Sequence, residues 1–176
     1  MRTEQIKIYQ FKELNTVAQK KAIEWYKDKC VNDDIDFNLD ESGTMKEHCI
    51  EQLKKNKIRI IRDFKIQYSL SNSQGDGFSF VGVFKWKSYV IFIKATNMYV
   101  HERSTTIEAE SEMTGKEWND KTQEEFKQLY YSICRYCEKI GYEIIEDCYK
   151  EESIIDTIES NEYEFRENGE RWHYVN

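Results

Sequence analysis

No proline occurs in the 176 residues, glycine occurs only seven times, and no apolar run approaches the ~20 residues that a membrane-spanning helix needs. The missing proline, beside abundant Lys, Ile, Asn and Glu, fits an AT-rich coding sequence. The missing apolar run predicts no spanning segment, and Met1-Arg2-Thr3-Glu4-Gln5 lacks the apolar core of a signal peptide, so the expected location is the cytoplasm, away from membranes. Five cysteines (Cys30, Cys49, Cys134, Cys137 and Cys148) are an odd number in a chain too long to need stapling. Reduced thiols are expected rather than a disulfide framework. The glycines match neither the phosphate loop ending in Gly-Lys-Ser/Thr nor the spacing of a dinucleotide fold. There is no repeat and no low-complexity linker, and the length fits one globular domain over 1–176, large enough to bury about two thirds of its unfolded surface.

What is present begins with a loop between two β-patterned runs. Phe64, Ile66, Tyr68 and Leu70 alternate with Lys65, Gln67 and Ser69; after Ser71-Asn72-Ser73-Gln74-Gly75-Asp76-Gly77, Phe78, Phe80 and Phe84 alternate with Ser79, Val81 and Val83. Period two is the signature of strands, so the runs are expected to pair as a hairpin. Glycines on both sides of Asp76 permit positive φ, and such turns can aim successive amides at one point to hold an anion. The same residues also serve turn geometry alone. A small-ligand or nucleotide site would centre on Ser71, Ser73, Gln74, Gly75, Asp76 and Gly77, with His101 brought near by strand pairing.

Around this hairpin the pattern predicts an α+β fold: an antiparallel meander of about four to five strands, with helices mainly on one face. A first strand is expected over Gln5–Phe11, then a helix over Thr16–Val31 capped by Asn15, with Ala18, Ala22, Trp25 and Tyr26 as its apolar stripe. Thr44-Met45-Lys46-Glu47 reads as a capping box for a helix to Lys55, with Cys49, Ile50 and Leu53 inward and Asn56 at its end. Sheet follows from Ile58 to Met113. A long helix over Thr122–Lys139 is expected to end at Gly141, with short helices around Ile144, Ile145, Ile154, Ile155 and Ile158 beyond it. Asn168-Gly169 reads as a two-residue hairpin turn, completing a helical and hairpin C-terminal part over about 119–176.

Charge is unevenly placed. The net charge is −7, yet residues 141–176 alone carry −8, leaving +1 for the rest. A loop over about 32–43 holds Asp33, Asp34, Asp36, Asp40 and Glu41 with no base among them, whereas Lys54, Lys55, Lys57, Arg59, Arg62 and Lys65 form a basic run broken only by Asp63. Each cluster can be a solvated face; together they suggest that charge steers a partner. The acids, including Glu159, Glu162 and Glu164, suit Arg and Lys on a partner protein, and the basic run suits phosphate, which makes direct nucleic-acid binding a further alternative.

No catalytic residue, cofactor or metal site is expected. Cys134 and Cys137 make a Cys-x-x-Cys inside a periodic helix, without the second cysteine pair of a zinc ribbon or the preceding strand of a thioredoxin-like site. His48 falls in a helix, His173 near the end, and His101 in a turn beside Glu102 and Ser104, where acid–base work is conceivable. Trp86 between Lys85 and Lys87, and Tyr68, are candidates for base stacking, although there is no RNP-like motif.

Phe11-Lys12-Glu13-Leu14 before an Ala-rich helix, the stretch Tyr68–Gly77, and Asn161-Glu162-Tyr163-Glu164-Phe165 followed by Asn168-Gly169 together resemble a family of small bacteriophage and prophage proteins to which no reaction can be assigned. In size and charge the chain is also similar to some type II-A anti-CRISPR proteins. The resemblance implies an accessory protein in an infected or lysogenic bacterial host. It would bind and inhibit a defence nucleoprotein, such as a Cas9-type RNA-guided nuclease with its guide RNA, by placing acids in the channel that the nuclease uses for DNA.

Overall fold

Alternation and helical spacing both carry into the structure, a computed structural model that describes residues 6–32, 43–71, 75–96, 98–112 and 117–173, the side chains of 30–32 excepted. In chain order its elements are β1 (Tyr9–Gln10), α1 (Thr16–Asn32), α2 (Thr44–Lys55), β2 (Ile58–Ser69), β3 (Gly77–Trp86), β4 (Tyr89–Ala95), β5 (Thr105–Ser111), α3 (Asp120–Cys148), α4 (Glu151–Ser160) and β6 (Glu164–Phe165). The fold is α+β. Among the described residues no helix is long and apolar enough to cross a membrane. The chain divides into two compact units, one of Met1–Asn38 with Ile144–Asn176 and one of Leu39–Glu143.

In the central unit, β2, β3, β4 and β5 lie side by side in sequence order, each antiparallel to the next. This is the meander that the short links predict, since parallel neighbours need long crossovers. Phe78, Phe80, Phe84 and Trp86 of β3 alternate onto one face, joined by Ile91 and Ile93 of β4, and all six are buried. The apolar stripe of α3 covers that face: the Phe80 ring lies 4.6 Å from that of Tyr130, and Trp86 lies 5.1 Å from Phe126. Tyr130 is itself fully buried, and its hydroxyl finds a partner by donating to the Phe80 carbonyl at 3.2 Å. Each such ring withdrawn from water contributes about 1.5–3 kcal/mol, so this layer holds the unit together.

Strand β2 is twelve residues long but not regular. Its register with β3 shifts between Ile60 and Arg62 and again between Arg62 and Lys65. Asp63 takes φ +57° there, and Gly82 opposite takes φ +138°. A Cβ on Gly82 would sit 2.9 Å from the Asp63 carbonyl oxygen, so the bulged backbone fits only against a glycine.

Two helix boundaries differ from expectation. α2 begins at Thr44, with Gly43 rather than Thr44 in the N-cap position and the Gly43 carbonyl accepting from the Glu47 amide at 2.9 Å. Met45, Cys49 and Leu53 face the core as the spacing requires, Ile50 is half-buried, and Asn56 ends the helix with its side chain on the Gln52 carbonyl. Gly141 does not stop α3. A Cβ there would overlap Leu70 Cδ1 and sit 3.1 Å from Met45 Cε, so the glycine admits close packing rather than ending a helix.

The other unit gathers the two ends of the described chain. Asn15 caps α1 as expected, its Oδ1 accepting from the amides of Val17 and Ala18 at 3.0 Å. Ala18, Ala22 and Ile23 then pack with Phe11, Leu14, Ile154, Ile158 and Phe165. Trp25 meets Tyr163 and Phe165 edge to face at 5.7 and 5.9 Å. The first strand is shorter than predicted, because Phe11 turns into a 3-10 helix (Phe11–Glu13) and is buried. β1 pairs antiparallel with β6, Tyr9 opposite Phe165. The turn near the C-terminus also differs from expectation: Gly169 donates to the Arg166 carbonyl at 2.9 Å and Arg166 to that of Glu170 at 2.8 Å, which makes a three-residue loop with glycine at its bulge.

Candidate functional site

The sheet geometry brings the glycine-flanked loop against the turn before β5. A Cβ on Gly77 would lie 3.1 Å from both Cα and Cδ2 of His101, so the glycine leaves the room that His101 fills. Asp76 is tied into place: its Oδ1 accepts from Ser69 Oγ at 2.8 Å and Ser71 Oγ at 3.1 Å, and its Oδ2 accepts from the Tyr142 hydroxyl at 3.3 Å. Tyr99 rests on Gly75, with ring carbons 3.5 Å and 3.7 Å from where a Cβ would stand. Asn72, Ser73 and Gln74 lie outside the described residues.

Beside this loop is a buried carboxylate. Glu102 opens the 3-10 turn Glu102–Ser104 and is 3% exposed. Its Oε1 accepts from Arg135 Nε at 3.3 Å; its Oε2 lies 3.2 Å from His101 Nε2 yet makes no hydrogen bond. His101 Nδ1 accepts from the Arg103 amide, which places the proton of a neutral imidazole on Nε2. From α3, Arg135, Glu138 and Tyr142 recur at spacings of three and four residues and so share one helix face. Glu138 completes the group. Burial holds its carboxyl above the usual range, Glu102 and Asp76 push it further the same way, and His101 and Arg135 pull it back. Glu138 thus feels two other carboxylates, Glu102 and Asp76, with Arg135 and His101 as the cationic counterweight.

No protein-family model, curated protein or solved structure matches this chain.

The remaining candidates are dispersed. Asp33, Asp34, Asp36, Asp40 and Glu41 lie outside the described residues. Glu159 is paired with Lys12 at 2.8 Å, Glu162 occupies an exposed turn at φ +51°, and Glu164 belongs to β6. The basic run is brought together at the junction of α2 and β2: Lys54, Lys55, Lys57, Arg59, Arg62 and Lys65 are all exposed, and among the described residues only Arg62 has a carboxylate within 4 Å, that of Asp63 at 3.7 Å. Trp86 does not serve base stacking. It is 4% exposed and enclosed by Phe126 and Trp118, while Tyr68 stacks on Phe78. Cys134 and Cys137 are buried beside Cys49; a hydrogen bond from Cys137 and burial push the Cys49 thiol far up, and burial does the same to Cys134, so both stay protonated and unreactive.

Sequence reading found Asp76 and His101 but not Glu102 as a buried group, nor Arg135, Glu138 and Tyr142. Their one visible signal is polar recurrence at positions 135, 138 and 142, beside the apolar stripe of α3.

Glu138 also makes a pH-dependent prediction. Its raised folded pKa means that ionising it costs more in the folded chain than in the unfolded one, so it opposes folding above that pKa and ceases to do so below the unfolded value of about 4.3. Glu138→Gln is therefore expected to be more stable than the native chain at pH 7.5, by less than ~1 kcal/mol because the half-buried group is screened. Urea midpoints should converge at pH 4; equal midpoints at both pH values would mean that Glu138 is not strained.

Proposed function

We propose that the chain is a binding protein that takes a guanidinium or ammonium group of its partner at the carboxylate cluster of Asp76, Glu102 and Glu138. The observation that carries this reading is Glu102 Oε2, a buried carboxylate oxygen without a hydrogen bond. A buried acceptor left unsatisfied costs about 1–3 kcal/mol, more when charged, and an incoming N–H donor removes that cost. Asp76 builds the wall, held by its three hydroxyl donors, while Glu102 and Glu138 supply the charge. Such a cluster suits a protein whose function depends on exposed Arg and Lys, and the DNA channel of an RNA-guided nuclease is of this kind. The phage resemblance points to the same class of partner, with the chain acting as a defence inhibitor.

The test is to express the tagged chain in a bacterium with an active RNA-guided nuclease, challenge it with a targeted phage and recover what co-purifies. Plaques restored by the native chain, with the nuclease bound, and at least about tenfold weaker binding by Glu102→Gln/Glu138→Gln would support the reading. Neither plaques nor nuclease would reject the defence role. A second reading, a small cationic ligand, is favoured by the seating of all three carboxylates within one compact unit. Titration with methylguanidinium, followed by NMR, separates the two.

A further inference from the structure

A second feature, built from other elements, is an open groove of about 420 Å³ where α2 meets β2. Ile50 and Leu53 of α2 and Ile58 and Ile60 of β2 line it with apolar surface, and Lys54, Lys57 and Arg59 add three cations. Ile58, Arg59 and Ile60 are consecutive. Successive strand residues point to opposite faces of a sheet, so a hollow that touches all three runs along the strand's edge rather than over a face. β2 is an edge strand: it pairs with β3, and no strand of the described residues pairs with its other side. An exposed edge offers unpaired N–H and C=O groups to an extended chain.

We infer that this edge groove takes an acidic, extended peptide segment of a partner protein, added to β2 as a further strand. Main-chain hydrogen bonds to β2 hold the peptide, an aliphatic side chain enters between Ile50 and Ile60, and flanking Asp or Glu meet Lys54, Lys57 and Arg59. None of these three cations has a carboxylate within 4 Å among the described residues. The charge is thus presented without internal compensation. Single-stranded nucleic acid would share the attraction to cations, but it binds by stacking bases on aromatic rings, and every hydrophobic residue of the groove is aliphatic.

Fluorescence anisotropy with the labelled peptide Glu-Val-Glu-Leu-Glu-Val tests this, against the same peptide with Lys for Glu, a backbone N-methylated copy and an oligothymidylate. The acidic peptide is expected to bind with Kd of about 10–100 μM, and the Lys peptide and N-methylated copy at least about tenfold more weakly. Lys54→Glu/Arg59→Glu should weaken the acidic peptide by a similar factor; if that variant unfolds, Lys54→Gln/Arg59→Gln replaces it. Absence of peptide binding overturns the proposal. Equal binding of the N-methylated copy overturns strand addition, and oligothymidylate binding that the peptide does not displace assigns the cations to phosphate instead.

Discussion

Replacing Gly169 by alanine is expected to cost the unit that contains it about 3–4 kcal/mol, the sum of a left-handed backbone forced on an L residue and an overpacked contact that cannot relax. Gly169 sits at φ +82°, buried, at the bulge of the three-residue loop after β6. A Cβ there would collide with the carbonyl oxygen of Ala18 and lie 2.9 Å from its carbonyl carbon and 3.0 Å from its Cα. These are backbone atoms in the first turn of α1, held by the Asn15 cap. They cannot swing aside as a side chain would. Asn168→Ala is the matched control, since Asn168 is exposed and loses the bond that its Oδ1 accepts from the Glu170 amide and an exposed bond to the Glu170 carboxylate; it should cost no more than about 1 kcal/mol. Urea unfolding of both variants checks this, and a Gly169→Ala midpoint equal to that of the control would show that the loop does not press on α1.

Phe80→Ala is expected to cost about 3–5 kcal/mol in the central unit, the range for removing a fully buried aromatic ring. Phe80 has no exposed surface and touches the rings of Phe64 at 6.4 Å, Phe84 at 5.4 Å and Tyr130 at 4.6 Å. Neighbours on β2, β3 and α3 cannot close the gap without moving the sheet against the helix. Denaturant titration gives the number; a cost under about 1 kcal/mol would place the stabilising layer elsewhere than between β3 and α3.

Much of this fold is legible in the sequence wherever one side chain period dominates. Phe78, Phe80 and Phe84 announce a strand with one buried face, and Phe126, Tyr130, Ile133 and Cys137 announce the helix that covers it. Glycine is harder to read, because one residue type answers several demands. Gly141 looks like a helix end and is a packing contact, while Gly169 looks like half of a two-residue turn and is the bulge of a longer one. The carboxylate cluster is partly legible for a related reason. His101 packs on Gly77, beside Asp76, because the connection from β4 to β5 returns to the start of β3, which the meander implies. Glu102 and Arg135 stand 33 residues apart in sequence, and neither carries a local mark of burial; only the covering of the sheet by α3 brings them into contact.

Tyr9 and Phe165 are register partners, and the whole of the central unit is translated between them. Its meander is made of neighbours in sequence, so loop closure costs little and its strands can zip in the order in which they leave the ribosome. The pairing of β1 with β6 has to wait. Until the segment from Ile154 to Phe165 emerges, Phe11, Ala18 and Ala22 have no Ile154, Ile158 or Phe165 to bury them. Vectorial synthesis therefore leaves the apolar stripe of α1 open to water while the meander is already complete.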